Sequence, residues 1–374
     1  MQAPEMRPHA RFSVLTGAES MFLQFERYAA DDPGLEYLSQ FESRWELRRK
    51  PEALAGLFKA ADGCIGTECN PCTEENCDSR RARQAISDTV NVLPGGEVIK
   101  DGAVMHALAQ MAGRTKVIVV RTDTDLIPWE YLYHSGLERM LGEVFTFVRV
   151  YLPHDRALGP APGDYGWSGV PRGVGLLIHN GTSVRCGKDF RTGAAIRATH
   201  GKGLEVAVKL SPTLEDLEAS LREKDVSILI GHGRADGAIV LAEPGKKGKR
   251  AVVRSGAFRR LNSTGKTVLM CVACNSAGPI ALNGPSGFDE STSNGLLFTM
   301  GRRRVFIGSI SVYPTRRAER LVELFIEGLY ANQLSVIEAI AFVKESMEGE
   351  CWCPVGLSVY GSAFNERIWQ GGDA

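Results

Sequence analysis

Two apolar runs in this chain stop at residues able to do nucleophilic chemistry. Val226-Ser227-Ile228-Leu229-Ile230 ends in Gly231-His232-Gly233, and Thr267-Val268-Leu269-Met270-Cys271-Val272 ends in Ala273-Cys274-Asn275-Ser276-Ala277. Each run reads as a buried strand. Neighbouring positions in one parallel sheet would bring a histidine and a cysteine to the same sheet edge. A thiol attacks a carbonyl only as thiolate, and its ordinary pKa of about 8.5 leaves little of that form at neutral pH. A nearby imidazole raises the thiolate fraction or takes the proton during attack. The resulting oxyanion needs two donors aimed at one point. The N–H of Gly233, unobstructed by a side chain, and the N–H of Cys274 would supply them. Taken singly, a cysteine at a strand end reads as structural and a histidine between glycines as a turn residue. The joint pattern favours chemistry, and both Cys271 and Cys274 are candidates.

A second cluster lies nearer the N-terminus. Cys64, Cys69, Cys72 and Cys77 are spaced C-x4-C-x2-C-x4-C among Gly, Asn, Pro, Thr and Glu. Four thiolates converging on one ion suit a structural, tetrahedral zinc, and such polar surroundings cannot build a core of their own. The usual zinc pattern has two CxxC knuckles, however, and this segment has one. The alternatives are loop cysteines without a ligand or, on related spacings, an iron–sulfur cluster. Cys351-Trp352-Cys353 could form a reactive pair, with unassigned loop cysteines as the alternative.

Positioning these groups requires a regular scaffold. Residues 156–172 are too rich in glycine and proline to sustain helix or sheet, and read as a linker or long loop. Beyond them, Gly173–His179, Glu205–Leu210, Val305–Val312 and Pro354–Tyr360 read as further strands. Helices are expected over Thr213–Lys224, Arg317–Asn332 and Ser335–Met347. Apolar strands alternating with helices imply an α/β fold: a mostly parallel sheet flanked by helices on both faces. In such sheets the ligand crevice lies beyond the carboxyl ends of the strands, where His232 and Cys274 fall. Before the linker, Lys116–Val120 and Phe145–Tyr151 read as strands, and Glu36–Leu57 and Arg81–Val90 as helical. The expected organisation is an N-terminal region with the Cys-rich loop over 1–110, the N-terminal part of the main region over 111–165, and the main catalytic domain over 172–374.

Composition narrows the partners. The chain has 374 residues, 44% hydrophobic, with Lys plus Arg equal to Asp plus Glu at 44 each. Length and apolar content suffice for a normal core without metal or disulfide. Zero formal charge points to neither nucleic acid nor an anionic membrane. Residues 1–30 show no apolar signal-peptide run, and no stretch approaches the ~18 apolar residues of a membrane span. A soluble, cytoplasmic protein is expected, with its nine cysteines mostly reduced.

Several blocks in order resemble the CHAT-domain proteins, caspase-like peptidases of the separase, metacaspase and caspase group. Leu126-Ile127-Pro128-Trp129-Glu130-Tyr131-Leu132 resembles the family's proline-tryptophan-glutamate segment, and Val148-Arg149 its following strand. Gly231-His232-Gly233 and Val272-Ala273-Cys274-Asn275-Ser276-Ala277 resemble its histidine and cysteine blocks. Gly308-Ser309-Ile310-Ser311-Val312 and Val359-Tyr360-Gly361 resemble two later strands. The resemblance spans roughly 115–366 and selects Cys274, since Cys271 would be buried within its strand. Members often carry tryptophan where Ser311 stands and aspartate near Thr315, so specificity does not transfer across.

The resemblance implies a caspase-like fold and a regulated bacterial cysteine endopeptidase. His232 would act as base then acid, Cys274 as nucleophile, and no cofactor would be needed for catalysis. It further implies selected protein substrates, an activating or regulatory protein partner, and a role in antiviral defence or programmed cell death. Residues 1–110 would be the docking region for such a partner. The loop after the nucleophile, Asn283–Asn294, would shape the substrate groove together with Ser311. Its Asp289 and Glu290 could favour a basic residue before the scissile bond, or simply be solvated loop acids. Asp236 could orient the imidazole or serve as a turn residue. Two other function classes stay open: a catalytically silent caspase-like scaffold, and a cysteine amidase acting on a small molecule.

Overall fold

The computed structural model describes residues 10–16, 20–28, 35–44, 101–112, 117–122, 127, 129–151, 172–179, 205–234, 237–242, 251–261, 267–274, 276–277, 293–299, 304–310, 315–347, 353–361 and 368. The strands are β1 (Ala10–Thr16), β2 (Ser20–Tyr28), β3 (Leu35–Arg44), β4 (Val117–Thr122), β5 (Tyr133–His134), β6 (Arg139–Met140), β7 (Thr146–Tyr151), β8 (Val174–Ile178), β9 (Val206–Leu210), β10 (Val226–Ile230), β11 (His232–Gly233), β12 (Ile239–Ala242), β13 (Ala251–Val253), β14 (Thr267–Val272), β15 (Arg304–Ser309) and β16 (Leu357–Tyr360). The helices are α1 (Gly102–Met111), α2 (Leu141–Val144), α3 (Leu214–Glu223), α4 (Ser255–Phe258), α5 (Asn294–Thr299), α6 (Thr315–Ile326) and α7 (Val336–Ser346).

Among the described residues, eleven strands form one sheet in the order β3-β2-β1-β4-β7-β16-β15-β14-β10-β8-β9. It contains two parallel blocks. β9, β8, β10, β14 and β15 run one way, and β16, β7, β4 and β1 run the other. They join where β15 meets β16 antiparallel, and β2 and β3 extend the far side as an antiparallel meander. This is the expected α/β architecture, a large mostly parallel sheet flanked by helices. A parallel sheet covered on both faces needs strands apolar throughout, and β10 and β14 are buried along their whole length. Burying one such aliphatic side chain contributes about 1.5–3 kcal/mol, so these runs secure the block that carries the histidine and the cysteine.

Helix α3 shows how local signals and packing agree. Thr213 caps it, with Oγ1 accepting from the Asp216 N–H at 3.2 Å, while the Asp216 carboxylate accepts from the Thr213 N–H at 2.8 Å. That reciprocal pair satisfies two N–H groups a helix start leaves orphaned. Against the sheet, the Ser220 and Ser227 hydroxyls share a buried hydrogen bond of 2.7 Å. Helix α7 is capped in the same way by Ser335 and Glu338. Helix α6 continues into a π-helical turn, Glu327–Ala331, within the span expected to be one helix.

One expectation is corrected. The helix read over Glu36–Leu57 is replaced, as far as Arg44, by β3, paired antiparallel to β2 from Ser20↔Arg44 to Tyr28↔Leu35. Leu35, Leu38 and Phe41 imitate helical spacing, but β2 offers a ladder, and tertiary pairing overrides a local pattern. The remainder of that segment and Arg81–Val90 lie outside the described residues. Among the described residues, no helix is long and apolar enough to cross a membrane.

Candidate active site

Parallel pairing of β10 and β14, from Val226↔Val268 to Ile230↔Val272, brings their carboxyl ends level. The pairing runs one step further, with the Gly231 N–H donating to the Val272 carbonyl at 3.3 Å. His232 and Cys274 therefore leave the sheet at one edge, as the two apolar runs imply.

The chain does not turn away after Gly231. His232 and Gly233 form β11, which pairs antiparallel with β12 (His232↔Val240, Gly233↔Ile239), and β12 pairs with β13. The hairpin closes through the Gly237 N–H to the Arg234 carbonyl, 3.0 Å, with Gly237 at φ 72°, a conformation open to glycine at little cost. This small sheet folds the histidine segment over the turn that carries Cys274. Gly233 lies directly against Cys274: a Cβ at position 233 would fall within the Cys274 carbonyl and 3.0 Å from its nitrogen. Glycine here is a steric requirement.

The two cysteines of the second run differ sharply. Cys271 is 1% exposed, and burial pushes its thiol far up from the ordinary range, so no thiolate forms there near neutrality. Cys274 is half-buried, two residues beyond the end of β14. His232 is exposed and Gly233 half-buried. An exposed histidine and a half-buried cysteine therefore follow the carboxyl ends of two neighbouring strands.

The turn after Cys274 is held from several directions. The Ser276 hydroxyl donates to the Cys271 carbonyl at 2.8 Å and accepts from the Ser309 N–H at 2.9 Å. The Ala277 N–H donates to the Ser309 carbonyl at 2.8 Å, and the Tyr360 hydroxyl donates to the Ala277 carbonyl at 3.0 Å. Strands β15 and β16 thus fix a turn that carries the thiol.

A third group, His179, stands beside the pair. His179 directly follows β8, beside the end of β10, and its backbone N–H donates to the Ile230 carbonyl at 2.9 Å. Its ring is fully buried and meets the His232 ring nearly perpendicularly, at 76° with centroids 4.7 Å apart. The signal was available: Gly173–His179 is another apolar strand that stops at a histidine. The family-like segment around Trp129 does different work. Glu130 makes a buried bidentate pair with Arg149 at 2.5 and 2.7 Å and accepts from the Ser358 hydroxyl at 2.7 Å, tying β7 to β16.

Asp236, Asp289, Glu290 and Ser311, and the cysteines Cys64, Cys69, Cys72 and Cys77, lie outside the described residues, as do Cys351 and Trp352. Among the described residues, no group of three or more His, Cys, Asp or Glu side chains could hold a metal ion.

No protein-family model matches the chain. No curated protein matches it either. Among solved structures it is similar to the separase–securin complex of Saccharomyces cerevisiae in two crystal structures, at 3.0 and 2.6 Å resolution, with TM-scores of 0.53 and 0.51 and 12% sequence identity in both. The match covers 96% of this chain and 30% of the other, so the chain spans under a third of the protein it resembles. At that identity the likeness is one of fold: the sheet and its helices follow the caspase-like fold of separase.

Proposed function

We propose that this chain is a cysteine endopeptidase of the CHAT type, with His232 and Cys274 as its dyad. The observation that carries the reading is the packing of Gly233 on the Cys274 backbone, which seats the histidine hairpin on the nucleophile turn. The caspase-like fold supports it. In the reaction, the Cys274 proton passes to His232 and the sulfur attacks the peptide carbonyl carbon. The N–H groups of Gly233 and Cys274 donate to the oxyanion. The C–N bond then breaks, the amine leaves with the imidazolium proton, and water activated by the neutral imidazole hydrolyses the thioester, returning the thiol.

Selected proteins are the proposed substrates, cut in the cytoplasm of a bacterium within an antiviral or cell-death system. A regulatory protein partner is proposed as the trigger; the similar solved structures are of a separase bound to securin. Asp289 and Glu290 are proposed to favour a basic residue before the cut, with Ser311 lining the groove. The four N-terminal cysteines are proposed to hold a structural zinc, which elemental analysis of wild type against a Cys69→Ser, Cys72→Ser variant tests.

Proteome-wide cleavage profiling of wild type against Cys274→Ala tests the activity. New protein termini that appear with wild type and vanish in the variant are expected. Cleavage that survives Cys274→Ala overturns the assignment of the nucleophile. Binding of a partner with no cleavage in its presence would favour the silent scaffold instead.

A further inference from the structure

The histidine hairpin and the cysteine turn belong to separate segments, and one side chain joins them. Asn294, the first residue of α5, is fully buried. Its Nδ2 donates to the Gly237 carbonyl at 2.7 Å and to the Ser276 carbonyl at 3.1 Å. Gly237 closes the turn that leads from β11 into β12, and Ser276 lies two residues past Cys274. Both partners are carbonyls, so the nitrogen must face them, and an amide donates two hydrogens where a hydroxyl donates one. The Oδ1 of Asn294, also buried, has no hydrogen-bond partner among the described residues. Among the described residues the amide pairs entirely through its two donated bonds, and buried polar groups sit where such bonds are made. Its two donated bonds are what the position uses.

The start of α5 is itself fixed. The Ser293 hydroxyl accepts from the Leu296 N–H at 3.3 Å. Gly295 lies so close to the Tyr360 ring that a Cβ there would overlap it, and the same tyrosine holds the Ala277 carbonyl. Asn294 therefore projects from a point anchored to the closing strand and grips both halves of the site at once.

We propose that Asn294 is a positioning residue that sets the approach of the His232 imidazole to the Cys274 thiol by clamping the hairpin at Gly237 to the turn at Ser276. This rests on the reading of His232 and Cys274 as base and nucleophile. It predicts that loosening the clamp lowers Cys274 reactivity through His232, rather than by damaging the turn alone.

The test is a double-mutant cycle on the full chain. Cys274 alkylation by iodoacetamide is followed by peptide mass spectrometry across pH in wild type, Asn294→Ala, His232→Ala and the double variant. Thermal unfolding establishes that each is folded, and Asn294→Ser, which keeps one donor, serves if Asn294→Ala does not fold. In wild type, alkylation at mildly acidic pH exceeds that of His232→Ala; Asn294→Ala loses that excess, a fall of about tenfold, and changes the rate by less than about twofold when His232 is already alanine. Equal slowing in both backgrounds, or no slowing in either, overturns the clamp while leaving the dyad standing. If His232→Ala alone leaves alkylation unchanged, the dyad reading fails and the clamp with it.

Discussion

Gly233 packs its Cα face onto the carbonyl of Cys274, leaving no room for even a methyl group. The obstacle is backbone, which cannot rotate aside as a side chain would. Gly233→Ala must therefore push β11 off the Cys274 turn. Overpacking of this kind costs about 1–3 kcal/mol. Urea denaturation should show a loss in that range, and Cys274 alkylation should slow as the imidazole withdraws. Full stability together with an unchanged alkylation rate would show that the two segments are not seated as described.

Cys271 and Cys274 stand three positions apart and should behave as different chemical species. Burial holds the Cys271 thiol protonated, whereas Cys274 is accessible, and only a thiolate reacts. Native-state labelling with iodoacetamide should modify Cys274 and spare Cys271 through the neutral range, with Cys271 labelled only once the chain is unfolded in urea. Peptide mapping reads the outcome directly. Labelling of Cys271 at a rate matching Cys274 in the folded protein would remove the ground for choosing between them.

What was legible in the sequence follows from how local each signal is. The runs ending at His232 and Cys274 announce themselves, because a strand buried on both faces must be apolar at every position. Helix α3 was legible for a similar reason, since Thr213 and Asp216 form a cap within one turn. Asn294 carries no such signal: its partners Gly237 and Ser276 are brought to it by the fold alone. The small sheet of β11, β12 and β13 has no clear sequence signal, because its first strand is only two residues long. In β3, periodicity misled, and the pairing with β2 that decides the matter is not a local property.

Glu130 and Arg149 should reveal themselves by what happens when one is removed. Both side chains are essentially sealed from water, and the carboxylate also accepts from Ser358. A buried charge left without its partner is costly, about 3–5 kcal/mol, although the intact pair contributes far less than that relative to apolar replacements. Glu130→Gln should accordingly lower stability by an amount in that range, measured by chemical denaturation. Ser358→Ala, which removes one hydrogen bond, should cost about 1 kcal/mol. A Glu130→Gln variant as stable as wild type would mean that the pair does not tie β7 to β16.

Asp216 provides a pH-dependent check on the first turn of α3. Burial by itself would raise its pKa, but the Thr213 N–H, the Lys209 ammonium and the Thr213 hydroxyl outweigh that and hold it below the ordinary carboxylate value. Lys209 Nζ lies 3.1 Å from one carboxylate oxygen. A carboxyl whose folded pKa is depressed stabilises the fold fully above its unfolded pKa of about 3.9, and loses that contribution as pH falls through the lower, folded value. The residue is partly solvated, so the discounted effect is about 0.5–1 kcal/mol. Thermal unfolding of wild type and Asp216→Asn should therefore differ at neutral pH, with wild type the more stable. The two curves should converge in strong acid, where the native carboxyl is protonated and as neutral as the amide. A gap that persists unchanged at low pH would mean that the charge of Asp216 is not what stabilises the helix start.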